Sequence, residues 1–208
     1  MRRFAIVIPL VAIALPLGAQ AKPKGVALDT AVFAGGCFWG IEAVFEHVRG
    51  VTDAMSGYAG GRAASPSYEA VSTGETGHAE SVRVVYDPSA VSYGTLLQVF
   101  FSVAHDPTEL NRQGPDVGTQ YRSAIFYRND AQKKESEAYI ERLTKAKSYP
   151  RPIVTQLAPL DKFFVAEAYH QDYMAHHPDQ PYIIYNDAPK VAHLKKGFSS
   201  LYRDPKKP

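Results

Sequence analysis

One cysteine, Cys37, stands in the hexapeptide Gly35-Gly36-Cys37-Phe38-Trp39-Gly40, and the 208 residues hold no second thiol. A thiolate is a soft nucleophile and also a redox-active group. The glycines before it let the backbone turn tightly and approach a ligand. Phe38 and Trp39 offer an apolar wall beside the sulfur. With no partner cysteine, an internal disulfide is excluded. The competing reading is a buried, inert cysteine, a common fate for a free thiol.

A second group lies in Gly74-Glu75-Thr76-Gly77-His78-Ala79-Glu80. Glu80 closes a glycine-containing loop immediately before an apolar run from Ser81. A carboxyl held there in an apolar pocket has a raised pKa and serves as an acid. Residue statistics alone favour an exposed glutamate at a strand end. His78 is the candidate base for a cysteine hydrolase built on Cys37, although loop histidines usually bond locally. The stretch from Asn111 to Ser123 is dense in glycine, proline and hydrogen-bonding side chains. It reads equally well as a polar binding loop or a well-bonded turn. His170, His176 and His177 match no strong zinc spacing, so no metal site is expected.

These groups need elements to hold them. Thr30 to Ala34 reads as a buried strand ending at Gly35-Gly36. From Phe38 the period becomes helical, with Ile41, Val44, Phe45 and Val48 on one face. Cys37 then lies where a strand becomes a helix N-terminus, a position that lowers a thiol's pKa. Val82, Val84 and Tyr86 alternate as a strand up to Asp87-Pro88, and Ser92 is a plausible N-cap for a helix carrying Tyr93, Leu96, Leu97, Phe100 and Phe101. Arg122–Tyr127 reads as a strand, and 131–147 as a helix with Tyr139, Ile140, Leu143 and Ala146 inward. Ile153–Leu157 reads as a strand, and 56–80 and 105–121 as long loops of the kind that carry function. The expected fold is one α+β domain, a mixed sheet with helices packed on it.

The beginning of the chain resembles an export signal. Arg2 and Arg3 precede an apolar run from Phe4 to Leu17, and Ala19-Gln20-Ala21 supplies a cleavage site. The run is shorter than the roughly 20 apolar residues of a membrane span. The expected organisation is a leader at 1–21, a flexible lead-in at 22–29, one domain at 30–202 and a disordered tail at 203–208. Loss of the leader removes Arg2 and Arg3 but no acidic residue, leaving 21 basic residues against 21 acidic ones. A neutral mature chain argues against nucleic acid or anionic lipid as a partner. An exported, periplasmic or secreted location follows.

Taken together, the segments resemble the class A peptide-methionine sulfoxide reductases, in a single-cysteine form. Gly36-Cys37-Phe38-Trp39-Gly40, Gly74-x-Thr76-Gly77-His78-Ala79-Glu80, Asp116-x-Gly118-x-Gln120-Tyr121-Arg122-Ser123 and Ala166-Glu167-x-Tyr169-His170-Gln171 match four family motifs in order. The resemblance covers roughly residues 30–175 and implies a two-layer α+β sandwich of mixed sheet and packed helices, of the ferredoxin-like α-β plait type, in agreement with the α+β reading. It implies reduction of the S epimer of methionine sulfoxide, free or in proteins and peptides. By that resemblance Cys37 attacks sulfur and Glu80 protonates the departing oxygen. Tyr68 and Tyr121 hydrogen-bond that oxygen, Phe38 and Trp39 hold the methyl group, and Asp116 lies near the site. No bound cofactor is implied. Many members carry further cysteines in a glycine-rich tail, whereas this chain has none there, and Ser72 stands where some members have cysteine. Resolution therefore falls to an external thiol reductant, a thioredoxin-like protein, a glutaredoxin or a small thiol. A monomer is expected. The alternatives are the His78 cysteine hydrolase and a non-catalytic periplasmic module that binds methionine-rich peptides in the aromatic cleft.

Overall fold

In a computed structural model, residues 27–205 are described, and the 1–21 leader lies outside them. Six strands form one mixed sheet: β1 (Asp29–Gly35), β2 (Val51–Ala59), β3 (Ala79–Tyr86), β6 (Ser123–Tyr127), β7 (Gln156–Pro159) and β8 (Phe163–Val165). Their order across the sheet is β7-β6-β1-β3-β2-β8, and every pairing is antiparallel except β6 with β7. Two short strands, β4 (Arg112–Gln113) and β5 (Asp116–Val117), make a separate hairpin.

β1 is central and buried on both faces, which explains its unbroken apolar run. Ala31 and Phe33 point into the main core, while Val32 and Ala34 face a smaller cluster with Phe126. The helical layer covers the first face with α1 (Phe38–Glu46), α3 (Tyr93–Val99) and α6 (Ala188–Gly197). Phe33 stacks on Phe45 and on Phe100 at ring-centre distances of 5.2 and 4.8 Å, tying β1 to that layer. The expected two-layer α+β architecture is therefore observed.

Local signals account for the helix ends. Ser92 accepts the Thr95 amide and caps α3, which continues into a π-helical turn at Phe100–Ala104. Asn129 caps α4 (Asp130–Lys145) by accepting the Gln132 amide. α4 ends before 147 because Lys147 turns left-handed at φ 50° and the Ser148 amide reaches back to Leu143. Ala146 is consequently exposed rather than inward.

Three expectations shift. The stretch 56–80 is not one loop: β2 runs to Ala59, and α2 (Tyr68–Ser72) follows, capped by Ser67. The stretch 105–121 contains the β4–β5 hairpin. The strand expected at 153–157 begins at Gln156, because the Val154 amide bonds the Pro107 carbonyl instead of the sheet. At the other end of the domain, the Arg203 amide and Nε donate to the carbonyls of His47 and Glu46. Among the described residues no helix is long and apolar enough to cross a membrane.

Candidate active site

Cys37 is the residue before α1, and Gly36 in front of it takes φ +99°, a conformation that favours glycine. The thiol is 8% exposed and sits at the edge of the main core. The expected lowering of its pKa by the helix N-terminus is overturned. Burial pushes the thiol well above its usual range, and the carboxyls of Glu80 and Asp187 push it further. The Trp39 backbone amide and Lys190 oppose this more weakly. The substrate-free thiol is therefore protonated at neutral pH.

Glu80 is 2% exposed, near the start of β3, and its Oε2 accepts the Phe38 amide at 3.1 Å. One hydrogen bond thus links the carboxyl to the residue next to the sulfur. Burial, reinforced by Asp116 and Asp187, raises the Glu80 pKa to about 8 against the pull of that amide. The group is a neutral acid at pH 7, unlike the exposed strand-end glutamate that residue statistics favour.

Both tyrosines named from the sequence are brought to this carboxyl. Tyr68 opens α2, and its amide donates to Glu167 at 2.9 Å. Tyr121 ends a 3-10 turn at Thr119–Tyr121. Burial raises both phenols, and Glu80 is the next largest cause in each case, so both remain hydroxyl donors. The loop from Asp116 to Ser123 proves to be a scaffold as well. The Gln120 side-chain amide donates to the Ser72 carbonyl, and Arg122 donates to the carbonyls of Thr119 and Gly77.

Phe38 is fully buried, and Trp39 stands beside it at partial exposure. The indole lies flat, at 3.7 Å, on Tyr173, the first residue of the short helix α5 (Tyr173–His176). Its Nε1 donates to His170 Nδ1 at 3.0 Å. Accepting there leaves the neutral His170 ring with its proton on Nε2. Glu167, which also accepts the Tyr58 hydroxyl at 2.8 Å, anchors α2, and Gln171 bonds both the amide and the carbonyl of Ser56. The segment 166–171 thus orients Trp39 and Tyr68, a role that its sequence did not reveal. Asp116 reaches the site from the β4–β5 hairpin and accepts the Tyr182 hydroxyl. Tyr182, Asp187 and Lys190, from a stretch noted in the sequence only for lacking cysteine, are further members of this region.

His78 is not placed to serve Cys37. Its Nδ1 accepts the Gly61 amide at 3.1 Å and its Nε2 donates to the Ala63 carbonyl at 2.9 Å, so both nitrogens are engaged. That removes the base required by a cysteine hydrolase. His170 lies in the aromatic cluster, and His177 packs on Tyr173. No group of three metal-binding side chains occurs among the described residues.

A buried thiol beside a neutral carboxylic acid and two phenols is suited to receive a polar oxygen and cleave its bond to a neighbouring atom. Comparison with known proteins agrees. Residues 29–201 match the family model described as peptide methionine sulfoxide reductase. The chain is 60% identical to peptide methionine sulfoxide reductase MsrA 2 of Mesorhizobium japonicum over 176 residues, 85% of this chain and 90% of that protein. It is 51% identical to peptide methionine sulfoxide reductase MsrA of Thermus thermophilus, over 84% of this chain and 98% of the relative. Among solved structures it is similar to reduced Mxr1 of Saccharomyces cerevisiae, with a TM-score of 0.68, 35% identity and coverage of 76% of this chain and 91% of that one. Methionine sulfoxide reductase A of Corynebacterium diphtheriae gives a TM-score of 0.65 at 35% identity, covering 76% and 77% of the two chains. The chain belongs to the class A peptide methionine sulfoxide reductases, oxidoreductases that return oxidised methionine to methionine and so repair proteins.

Proposed function

We propose that this chain reduces the S epimer of methionine sulfoxide, free or within proteins, by attack of Cys37 on the sulfoxide sulfur. The supporting observation is the carboxyl of Glu80, neutral at pH 7 and bonded to the amide next to Cys37. A sulfoxide oxygen leaves poorly until it is protonated. Glu80 supplies that proton, and the hydroxyls of Tyr68 and Tyr121 hydrogen-bond the oxygen as its negative charge grows. Phe38 and Trp39 receive the methyl group, so epimer choice is a matter of shape.

The reaction requires a thiolate and a neutral carboxyl together. The substrate-free site holds a proton on each, so one must leave before the pair is active. Cys37 then forms a bond to sulfur, the oxygen is transferred, and the products are methionine and Cys37 sulfenic acid. The chain has no second cysteine, so an external thiol completes the cycle. The apolar leader from Phe4 to Leu17 supports an exported, periplasmic or secreted enzyme.

A single-turnover assay tests this reading. Without reductant, methionine-S-sulfoxide yields one methionine per enzyme and a sulfenic acid that a dimedone probe captures on Cys37. Equal conversion of the R epimer contradicts the shape argument for Phe38 and Trp39.

A further inference from the structure

Cys37 is also a wall of a cavity of about 210 Å³ whose lining includes Asp116, Tyr182, Asn186 and Lys190. Glu80, Tyr68, Tyr121 and Trp39 are absent from that lining, so the cavity approaches the thiol from other groups than the oxygen-binding ones. Most of its polar groups are already committed. Asp116 accepts from Tyr182, and the Asn186 amide nitrogen donates to the Tyr182 carbonyl. Gln113 joins the Asp106 amide and Glu109, and His105 bonds the Phe100 carbonyl and Ser123.

Lys190 is the exception. Its Nζ donates to Asp187 at 3.1 Å, and no other partner occurs among the described residues, whereas an ammonium group has three donors. Its side chain is 18% exposed, and its fully buried partner Asp187 fixes it in place. A Cβ at Gly40 would lie 2.0 Å from Asp187 Oδ1 and 2.9 Å from Lys190 Nζ, so the pair is seated against the helix turn after Cys37. The cavity therefore presents spare cationic donors beside a sulfur that is only 8% exposed.

We propose that this cavity admits a small monothiol that resolves Cys37 sulfenic acid, with Lys190 holding the incoming thiolate. The proposal rests on the sulfenic acid of the reaction above. Its volume lies below the roughly 300–1,000 Å³ of sites for drug-sized molecules and suits a thiol of few heavy atoms. The thiolate sulfur bonds Cys37 Sγ while the Sγ–O bond breaks, and the thiol's proton ends on the departing hydroxyl as water. A second thiol attacks the sulfur of the first, forming a small-molecule disulfide and returning Cys37 as thiol. The two thiols supply the two electrons.

Stoichiometric hydrogen peroxide generates the sulfenic acid independently of sulfoxide chemistry, so this test remains informative even if the reduction reading fails. Its decay with 2-mercaptoethanol is followed by stopped flow in wild type, Lys190→Met and Pro115→Trp, the last placing an indole at an exposed wall of the cavity. In each variant the second-order resolving rate falls at least about tenfold. In the sulfoxide assay the methionine burst of Pro115→Trp falls far less. Wild-type resolving rates in both variants overturn the proposal. Equal losses in burst and resolution for Pro115→Trp also overturn it, because the cavity then serves the sulfoxide step itself.

Discussion

Two buried glutamates carry the same perturbation and stand in different settings. Glu80 and Glu42 are each 2% exposed, and burial raises each to about 8. Glu42, on α1, has both oxygens occupied by backbone amides, Oε1 by Ser56 at 3.0 Å and Oε2 by Asp172 at 3.1 Å. Its neighbour Glu46 is raised to about 9, again chiefly by burial and then by its hydrogen bond with Asp172. Glu80 has one described hydrogen bond, from Phe38, and electrostatically couples to the phenols of Tyr68 and Tyr121 and to Cys37. A raised carboxyl pKa reports burial in both places. On the proposed mechanism, what separates the acid from the structural carboxyl is an oxygen without a described hydrogen bond, in a group coupled to the thiol.

Substitution by glutamine separates the two most sharply. Glu80→Gln keeps the shape but has no proton to give, and its methionine burst slows by about 10²- to 10⁴-fold. Glu42→Gln keeps its burst within about threefold, because its oxygens hold the Ser56 and Asp172 amides and no group of the thiol site. A comparable loss in both would erase the distinction. Removing one phenol is a smaller change: Tyr68→Phe and Tyr121→Phe each slow the burst by about tenfold, read by the same rapid-quench assay. The corresponding substitution Tyr58→Phe removes the bond to Glu167 and affects Tyr68 only through α2.

Stability sharpens the comparison from the other side. Glu42 and Glu46 stay protonated in the folded chain up to about 8 and 9, while unfolded glutamates lose their protons near 4.5. Between those values the folded state binds more protons, so stability falls as pH rises. The slope reaches about 1.4 kcal/mol per pH unit for each such group. Urea unfolding at several pH values gives a shallower decline for Glu42→Gln than for wild type. An unchanged slope contradicts the burial of an ionisable Glu42.

The sequence displayed the elements whose side chains obey a simple period. β1 and β3 and the helices α1 and α3 carry apolar residues at strand or helix spacing because each faces a large core. β2 was hidden because Asp53, Ser56 and Gly57 interrupt its alternation, and its register on β3 shifts between Val51 and Asp53. In the site, Cys37 was conspicuous by its glycines. Glu80 was distinguished by the resemblance, since nothing local separates it from an exposed glutamate. Asp187 and Lys190 meet Cys37 and Gly40 only through folding, from the far end of the chain, and no local pattern encodes such a meeting. The thiol's high pKa was equally invisible, because the sequence shows the favourable helix end but not the depth of burial or the two carboxyls.

The central claim is that Cys37 and Glu80 work as a pair that must hold one proton. The pH dependence of kcat/KM for methionine-S-sulfoxide, in wild type and Glu80→Gln, tests it most directly. Wild-type activity rises with pH to about 8 as the first proton leaves, and falls at higher pH when the second is lost. In Glu80→Gln the limb near 8 disappears, and the remaining activity rises only with ionisation of Cys37. Retention of the same limb in Glu80→Gln would assign that proton to another group and contradict the account.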